Sequence, residues 1–259
     1  MAKIRLDQLL VQTKLIDSPA KAQAMIMSGK VLVNNQKITK AGHMTDPGSI
    51  IRLLKSANRY VSRGGDKLEG AFKAFDIPVK GRIAIDIGVS TGGFSHFLLK
   101  NDVKIVFGVD VGYGQIDLKL RNDPRVMLLE RCNARTLTKQ NLVNALKKKP
   151  EAVSYSDEIS LVVMDVSFIS VTKILPVIQR LTLPETDYVI LIKPQFEAEK
   201  SQVERGGIIK DQALRDSVVT KVEQSLASKF KLIEKIPSPI TGAKGNQEYF
   251  FWLRNKSGV

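Results

Sequence analysis

The chain has 259 residues, 43% of them hydrophobic and 25% charged, a globular composition too apolar for a disordered segment. Lys and Arg number 40 against 26 Asp and Glu, and the formal net charge of +14 points to a polyanionic partner, either nucleic acid or an anionic membrane surface. One cysteine (Cys132) forbids an internal disulfide and two isolated histidines offer no zinc spacing, so an intracellular chain without a bound metal is expected. Met1 to Asp7 has no apolar run behind its charges, so no signal peptide is expected, and charges interrupt every apolar stretch well before the ~18 residues of a membrane span.

In chain order, Ile4, Leu6, Leu9 and Leu10 fall at helical spacing. Asp17-Ser18-Pro19 reads as a helix start, with Ser18 as N-cap and Pro19 in the first position, and the helix carries Ala20, Ala24 and Met27 and stops at Gly29. Val31-Leu32-Val33 is a short strand, Asn34-Asn35 a turn, Asp46-Pro47-Gly48 a second turn and Ile50–Leu53 a second strand. Residues 1–60 hold 10 Lys/Arg against 3 Asp/Glu, so half of the net charge sits in under a quarter of the chain. The sequence thus divides into a small basic module at 1–56, a linker at 57–63 and a larger body at 64–259.

Arg5-Leu6-Asp7-Gln8-Leu9-Leu10, Ser18, Ala22, Ile26, Gly29-Lys30-Val31-Leu32-Val33-Asn34, Lys37 and Asp46-Pro47-Gly48-Ser49-Ile50 together resemble the S-four RNA-binding domain. The resemblance implies that a helix pair and the following turn contact RNA. Arg5, Lys14, Lys21, Lys30 and Lys37 are then the phosphate-facing candidates, joined by Arg59 and Arg63 beyond the module. Arg-Leu-Asp is also the catalytic tripeptide of pseudouridine synthases, but here it opens a helix that the RNA-binding pattern already explains.

Strands and helices alternate from residue 82. Strands are expected at Arg82–Ile87, Lys104–Val109, Leu161–Met164, Tyr188–Ile192, Phe230–Ile236 and Glu248–Leu253. Helices begin at Gly93 and span Asp211–Leu226, and Lys147-Lys148-Lys149 before Pro150 reads as a solvated helix end. Such alternation implies an α/β body with a mostly parallel sheet covered on both faces, whose ligand sits at the carboxyl ends of the strands.

The first such end reads Asp86-Ile87-Gly88-Val89-Ser90-Thr91-Gly92-Gly93-Phe94. It is neither Gly-x-Gly-x-x-Gly nor a P-loop. An acidic residue opening the loop repels phosphate and suits a ligand with an amine and a sulfonium charge. Asp110 ends the next strand and can accept hydrogen bonds from ribose hydroxyls. These features resemble motif I and the acidic second-strand end of S-adenosylmethionine-dependent methyltransferases. The resemblance implies S-adenosylmethionine as cofactor, held by Asp86, Gly88, Ser90, Gly92, Gly93, Phe94, Asp110, Asn133 and Asp165.

The fourth strand ends Met164-Asp165-Val166-Ser167-Phe168, without the prolines of adenine amino methyltransferases. Cys132 follows Glu130-Arg131 near the third strand, where it suits the adenine pocket better than the nucleophile of a cytosine carbon-5 methyltransferase. A ribose 2′-hydroxyl instead needs positioning and a base, or a cation that favours the alkoxide; a lysine oriented by carboxylates supplies either. Lys67, Asp165, Lys193 and Glu248 stand in suitable places and resemble the Lys-Asp-Lys-Glu tetrad of FtsJ-like ribose 2′-O-methyltransferases. By that resemblance Lys193 is the central base or alkoxide stabiliser. Lys73, a neighbour of Lys67, is the alternative at the first position.

With Arg59–Leu68 between its two parts, the whole chain resembles the TlyA haemolysin-like family of rRNA (cytidine-2′-O)-methyltransferases. The resemblance implies a class I Rossmann-like methyltransferase domain preceded by a small α+β RNA-binding domain. It also implies 16S or 23S ribosomal RNA, or ribosomal subunits, as substrate, and a monomer acting in the cytoplasm without stable membrane insertion. Two other readings compete: a membrane-active haemolysin, which predicts an amphipathic basic helix or an apolar insertion segment that the sequence lacks, and a catalytically silent RNA-binding assembly factor.

Overall fold

The computed structural model describes residues 3–54, 59–148, 159–242 and 244–256, so Lys149 and Pro150 of the lysine run lie outside the described residues. The chain divides into two units, Met1–Asn58 and Arg59–Val259.

In the first unit β1 is Ile4–Arg5, α1 Leu6–Gln12, α2 Pro19–Met27, β2 Val31–Val33, β3 Gln36–Ile38, β4 Met44–Thr45 and β5 Ile51–Leu53. Ser18 caps α2 as expected, accepting from the Lys21 backbone N–H, and Pro19 takes the first position. Three expectations are corrected. Ile4 is not helical, because its backbone pairs with Thr45; Arg5 ends that strand and the helix starts at Leu6. The buried face of α2 is Ala22 and Ile26, which leaves Met27 exposed. The sheet has a third strand, β3, paired with β2 through a turn in which Asn34 and Asn35 both have positive φ (49° and 64°), the twist a two-residue hairpin requires. Leu6, Leu10, Ile16, Ala22, Ile26, Val31 and Val33 form the small core.

The second unit is wound around a seven-stranded sheet. Its elements are α3 (Arg63–Phe75), β6 (Ile83–Ile87), α4 (Gly93–Lys100), β7 (Ile105–Val109), α5 (Leu118–Asn122), β8 (Val126–Leu129), α6 (Lys139–Lys147), β9 (Ile159–Met164), α7 (Leu175–Gln179), β10 (Asp187–Ile192), α8 (Pro194–Glu197), α9 (Gln212–Leu226), β11 (Phe230–Pro237) and β12 (Tyr249–Asn255). The strand order is β11-β12-β10-β9-β6-β7-β8, with β12 antiparallel to both neighbours and the other pairings parallel. After β6 the chain goes to β7 on one side; β9 lies on the other. The order therefore reverses between β6 and β9, and a crevice opens there at the carboxyl ends.

Alternation along the buried strands feeds two cores. Ile83, Ile85 and Ile87 of β6 face a layer with Leu142, Leu175, Val219 and Val222, whereas Ala84 faces Leu68, Phe72, Phe97 and Leu98 of α3 and α4. Phe107, Tyr188, Phe230, Phe250 and Phe251 are fully buried, each contributing about 2–3 kcal/mol by burial. The stretch expected to be linker is partly body: Tyr60 is 5% exposed against Phe97 and His96, and the Val61 N–H donates to His96 Nδ1 at 3.0 Å.

Candidate active site

Five segments meet at the crevice. The β6–α4 loop is the first. Gly88 and Gly92 have φ of 82° and 92°, a backbone that L side chains resist. At Gly88 a Cβ would stand 2.4 Å from the Asp165 carbonyl oxygen, so this loop lies directly against the end of β9. The Asp165 N–H in turn donates to the Ile87 carbonyl at 2.9 Å. Gly93 is equally constrained: a Cβ there would meet Ser62 Oγ at 2.3 Å, where the start of α3 packs on the start of α4.

The loop, the start of α3 and three charged strand-end residues enclose a cavity of about 280 Å³. Gly88, Ser90, Gly93 and Phe94 line it, as do Arg63, Lys67, Asp165, Lys193 and Glu248. Inside it the charges pair across segments. Lys67 Nζ of α3 lies 2.5 Å from Glu248 Oε2, and their side chains are only 9% and 3% exposed. Glu248 immediately precedes β12 rather than opening it. Lys193, the residue after β10, places Nζ 2.6 Å from Asp165 Oδ1, out of line for a hydrogen bond, and donates to Ser167 Oγ at 3.0 Å. Lys73 is separated from this group: its side chain is exposed and forms an i,i+4 pair with Glu69.

Four cofactor candidates do not line this cavity: Gly92, against Leu120 and Ile116, and Asp86, Asp110 and Asn133. Asp86 is fully buried beneath the loop, on the same face of β6 as Ala84. Its Oδ2 accepts from the Ser95 backbone N–H (2.9 Å) and hydroxyl (2.6 Å), and Oδ1 has no partner. Burial is the main cause that lifts its pKa from 3.8 to about 7, with the charges of Asp165 and Asp110 adding to it. Asp110 braces the loop from the side, accepting from the Ser90 N–H at 2.8 Å and the Gly112 N–H at 2.7 Å. Asn133 caps the 3-10 turn Ala134–Thr136 and, with Cys132, lines a separate groove beyond β8. Burial raises the Cys132 thiol pKa, the opposite of what a nucleophile needs.

The sequence reading missed an aromatic pair at the mouth. Phe168 has φ 65° and is 89% exposed, its ring centroid 4.8 Å from that of Phe196, and Lys193 Nζ lies 5.8 Å from the Phe196 ring.

In the first unit, Arg5 is held by Asp7 through Nε–Oδ1 (3.1 Å) and Nη2–Oδ2 (2.8 Å) contacts. That hydrogen-bonded pairing holds the Asp7 carboxyl down at about 2. Lys14 and Lys37 are exposed, Lys30 is half-buried, and Lys21 makes only a loose 3.7 Å pair with Asp17. Arg59 is paired with Glu69.

Comparison with known proteins defines the class. Residues 60–255 match the FtsJ-like methyltransferase family and residues 4–51 the S4 domain. The chain belongs to the FtsJ-like methyltransferase family, in the form that carries an S4 domain ahead of the catalytic one, and the α/β order described above is the Rossmann-like fold of that family. Among its relatives, the 16S/23S rRNA (cytidine-2′-O)-methyltransferase TlyA of Mycobacterium tuberculosis is 40% identical over 98% of this chain and 91% of its own. Hemolysin A of Brachyspira hyodysenteriae is 42% identical over 95% of this chain and 98% of its own. A solved Streptococcus thermophilus structure that bears a provisional hemolysin name has a TM-score of 0.72 at 34% identity, covering 99% of this chain and 90% of that one. Among the described residues no helix is long and apolar enough to cross a membrane.

Proposed function

We propose that the protein transfers a methyl group from S-adenosylmethionine to the 2′-hydroxyl of a cytidine in ribosomal RNA. The observation that carries this reading is the pairing of Lys67 with Glu248 and of Lys193 with Asp165 around one cavity, at the point where the strand order reverses. The residues present fit the cofactor. Gly88, Ser90, Gly93 and Phe94 line the cavity with a close-packed loop whose Gly88 has a positive φ, and Asp110, which braces that loop at Ser90, is a carboxylate able to accept ribose hydroxyls.

S-adenosylmethionine supplies, when bound, an electrophilic methyl carbon open to in-line displacement. The chain's own residues then act on the acceptor. Lys193 faces the attacking 2′-oxygen; as a neutral amine it takes the hydroxyl proton, and as an ammonium it stabilises the developing alkoxide. Asp165 and Ser167 fix the direction of its Nζ. Lys67, held by Glu248, positions the ribose from the opposite wall. Phe168 and Phe196 offer a stacking face to an unpaired base, the mode in which proteins take hold of single-stranded RNA. The first unit supplies phosphate contacts through Lys14, Lys21, Lys30 and Lys37, and the second unit supplies its own through Arg63 at the cavity and Arg59 ahead of α3. Such a substrate places the reaction in the cytoplasm.

The test is transfer of labelled methyl to purified unmodified ribosomal subunits and to naked rRNA, with nucleoside analysis. A 2′-O-methylcytidine product that vanishes in Lys193→Ala is expected. Cofactor binding without transfer to any RNA would overturn the substrate reading in favour of a silent assembly factor. Red-cell lysis that survives Lys193→Ala would instead support a membrane-active protein.

A further inference from the structure

The loop that carries Asp165 and Ser167 runs from 165 to 170 between β9 and the 3-10 turn Val171–Lys173, with no regular structure of its own. Its start is secured by the Asp165 N–H bond to Ile87 and by contact with Gly88. Its middle passes through the positive φ of Phe168, a conformation that costs energy and persists only when both ends are held. What holds the far end is Glu197. The Glu197 Oε1 accepts from the Val171 backbone N–H at 2.9 Å, at the opening of the 3-10 turn that Ser170 caps.

Glu197 ends α8, the single turn that begins directly after Lys193. Pro194 is buried in the first position of that turn, and the Phe196 and Ala198 N–H groups bond back to Lys193 and Pro194, so the turn is rigid. Lys193 and Glu197 therefore sit at the two ends of one stiff element. Lys193 reaches the front of the facing loop, at Asp165 and Ser167, and Glu197 reaches its back, at Val171.

We propose that Glu197 is a positioning residue, a clasp that holds the Asp165–Ser170 loop in register with Lys193 and so sets where the Lys193 amine points. The assignment rests on the catalytic reading of Lys193 given above. A carboxylate suits the task because it is a strong acceptor for a backbone N–H at a turn opening. Its burial raises its pKa, and the bonds from Ser170 and Val171 oppose that rise, so the bonds that hold the loop also favour the charged acceptor.

The experiment compares Glu197→Ala and Glu197→Gln with the wild type. It uses single-turnover methyl transfer to unmodified subunits, S-adenosylmethionine binding by calorimetry, thermal unfolding, and hydrogen exchange of the Ser167–Val171 amides. Removing the acceptor should cost about 100-fold in kcat, the penalty of an ångström-scale misplacement, with cofactor affinity and RNA KM within about threefold. Glutamine keeps an Oε1 acceptor and should recover kcat to within about fivefold. Exchange at Ser167–Val171 should speed up in Glu197→Ala and not in Glu197→Gln, whatever the acceptor RNA. Unchanged kcat and unchanged exchange in Glu197→Ala would overturn the clasp. So would a glutamine variant as impaired as the alanine one, or a loss of cofactor binding and melting temperature in step with kcat. A wild type that methylates no RNA would sink the catalytic reading alone, because the exchange comparison judges the clasp without it.

Discussion

The Lys67–Glu248 pair gives a sharp test of the site, because it separates stability from chemistry. The two charges touch at 2.5 Å and are 9% and 3% exposed, so neither is solvated once its partner is gone. Glu248→Ala leaves a buried ammonium unpaired, and Lys67→Met leaves a buried carboxylate. Each should destabilise the second unit by about 3–5 kcal/mol. Replacing both, as Lys67→Met with Glu248→Leu, removes the two desolvation penalties together and should restore most of that loss. Methyl transfer should stay lost in all three variants. Urea unfolding followed through Trp252 reads the second unit by itself: this is the only tryptophan, it lies on β12, and its indole N–H bonds to Asp187 at 2.8 Å. The m-value should hold while the midpoint moves. Single-variant losses below about 1 kcal/mol would show a solvent-screened pair and refute the energetic argument. A double variant that still methylates RNA would remove Lys67 and Glu248 from the reaction.

Four further expectations follow from the structure. Gly88→Ala should lower the melting temperature and weaken cofactor binding, since a positive φ costs an alanine about 1–2 kcal/mol and its Cβ would be driven onto the Asp165 carbonyl; an unaltered binding isotherm would show that the loop yields. Asp86 titrates at about 7 in the fold against 3.8 in the ordinary carboxyl, so between those values the native state holds a proton that the unfolded chain has released. Its contribution is complete below 3.8 and is lost as pH rises toward 7. Asp86→Asn should flatten the fall in melting temperature between pH 5 and pH 8, and an identical slope in both proteins would count against a protonated Asp86. For RNA binding, Lys37→Ala should reduce the slope of log affinity against log salt by about 1, the loss of one phosphate contact. Arg5→Ala should act mainly by unfolding the first unit, because its guanidinium is committed to Asp7; a pure change in salt slope with an unchanged melt would reverse that assignment.

The parts of the fold legible in the sequence are those where one face or both faces of an element are apolar. Tyr188–Ile192 and Phe250–Leu253 are continuous hydrophobic runs, and Ile83–Ile87 is one but for Asp86, because helices cover the sheet on both sides. β3 was not legible: Gln36 and Lys37 are exposed, so only the Asn34-Asn35 turn betrays the strand that follows. Ile4 belongs to β1 through its distant partner Thr45, a pairing invisible to local periodicity. The Arg59–Ser62 stretch reads as linker because it lacks a pattern, yet Tyr60 fills the space left by Gly65, where a Cβ would come within 2.2 Å of its ring. Phe168 carried no signal, since an aromatic residue in a loop reads as core until the fold shows that nothing covers it.

Asp86 is conspicuous in sequence, and the fold gives its carboxylate a partner, Ser95, that a reading from the loop alone does not show. Its position in a strand of isoleucines demanded an explanation, and a cationic ligand was the available one. Strand parity carries a further one: Ile83, Ile85 and Ile87 share one face, so Asp86 shares the other with Ala84 and points at the helix layer, where the start of α4 offers it the Ser95 N–H and hydroxyl. Asp165, Lys193 and Glu248 lie just beyond strand ends, where parity no longer decides direction, and Lys67 comes to them from α3. Their pairing also explains how two lysines are kept in a small, poorly solvated space. A lone buried lysine is driven toward its neutral form, whereas a carboxylate from a different segment offsets that desolvation and at the same time ties α3 to β12 and β9 to β10. The residues read from the sequence as chemical groups are thus also the cross-links that close the crevice, which is why their removal has to be measured on stability before any loss of rate is assigned to the reaction.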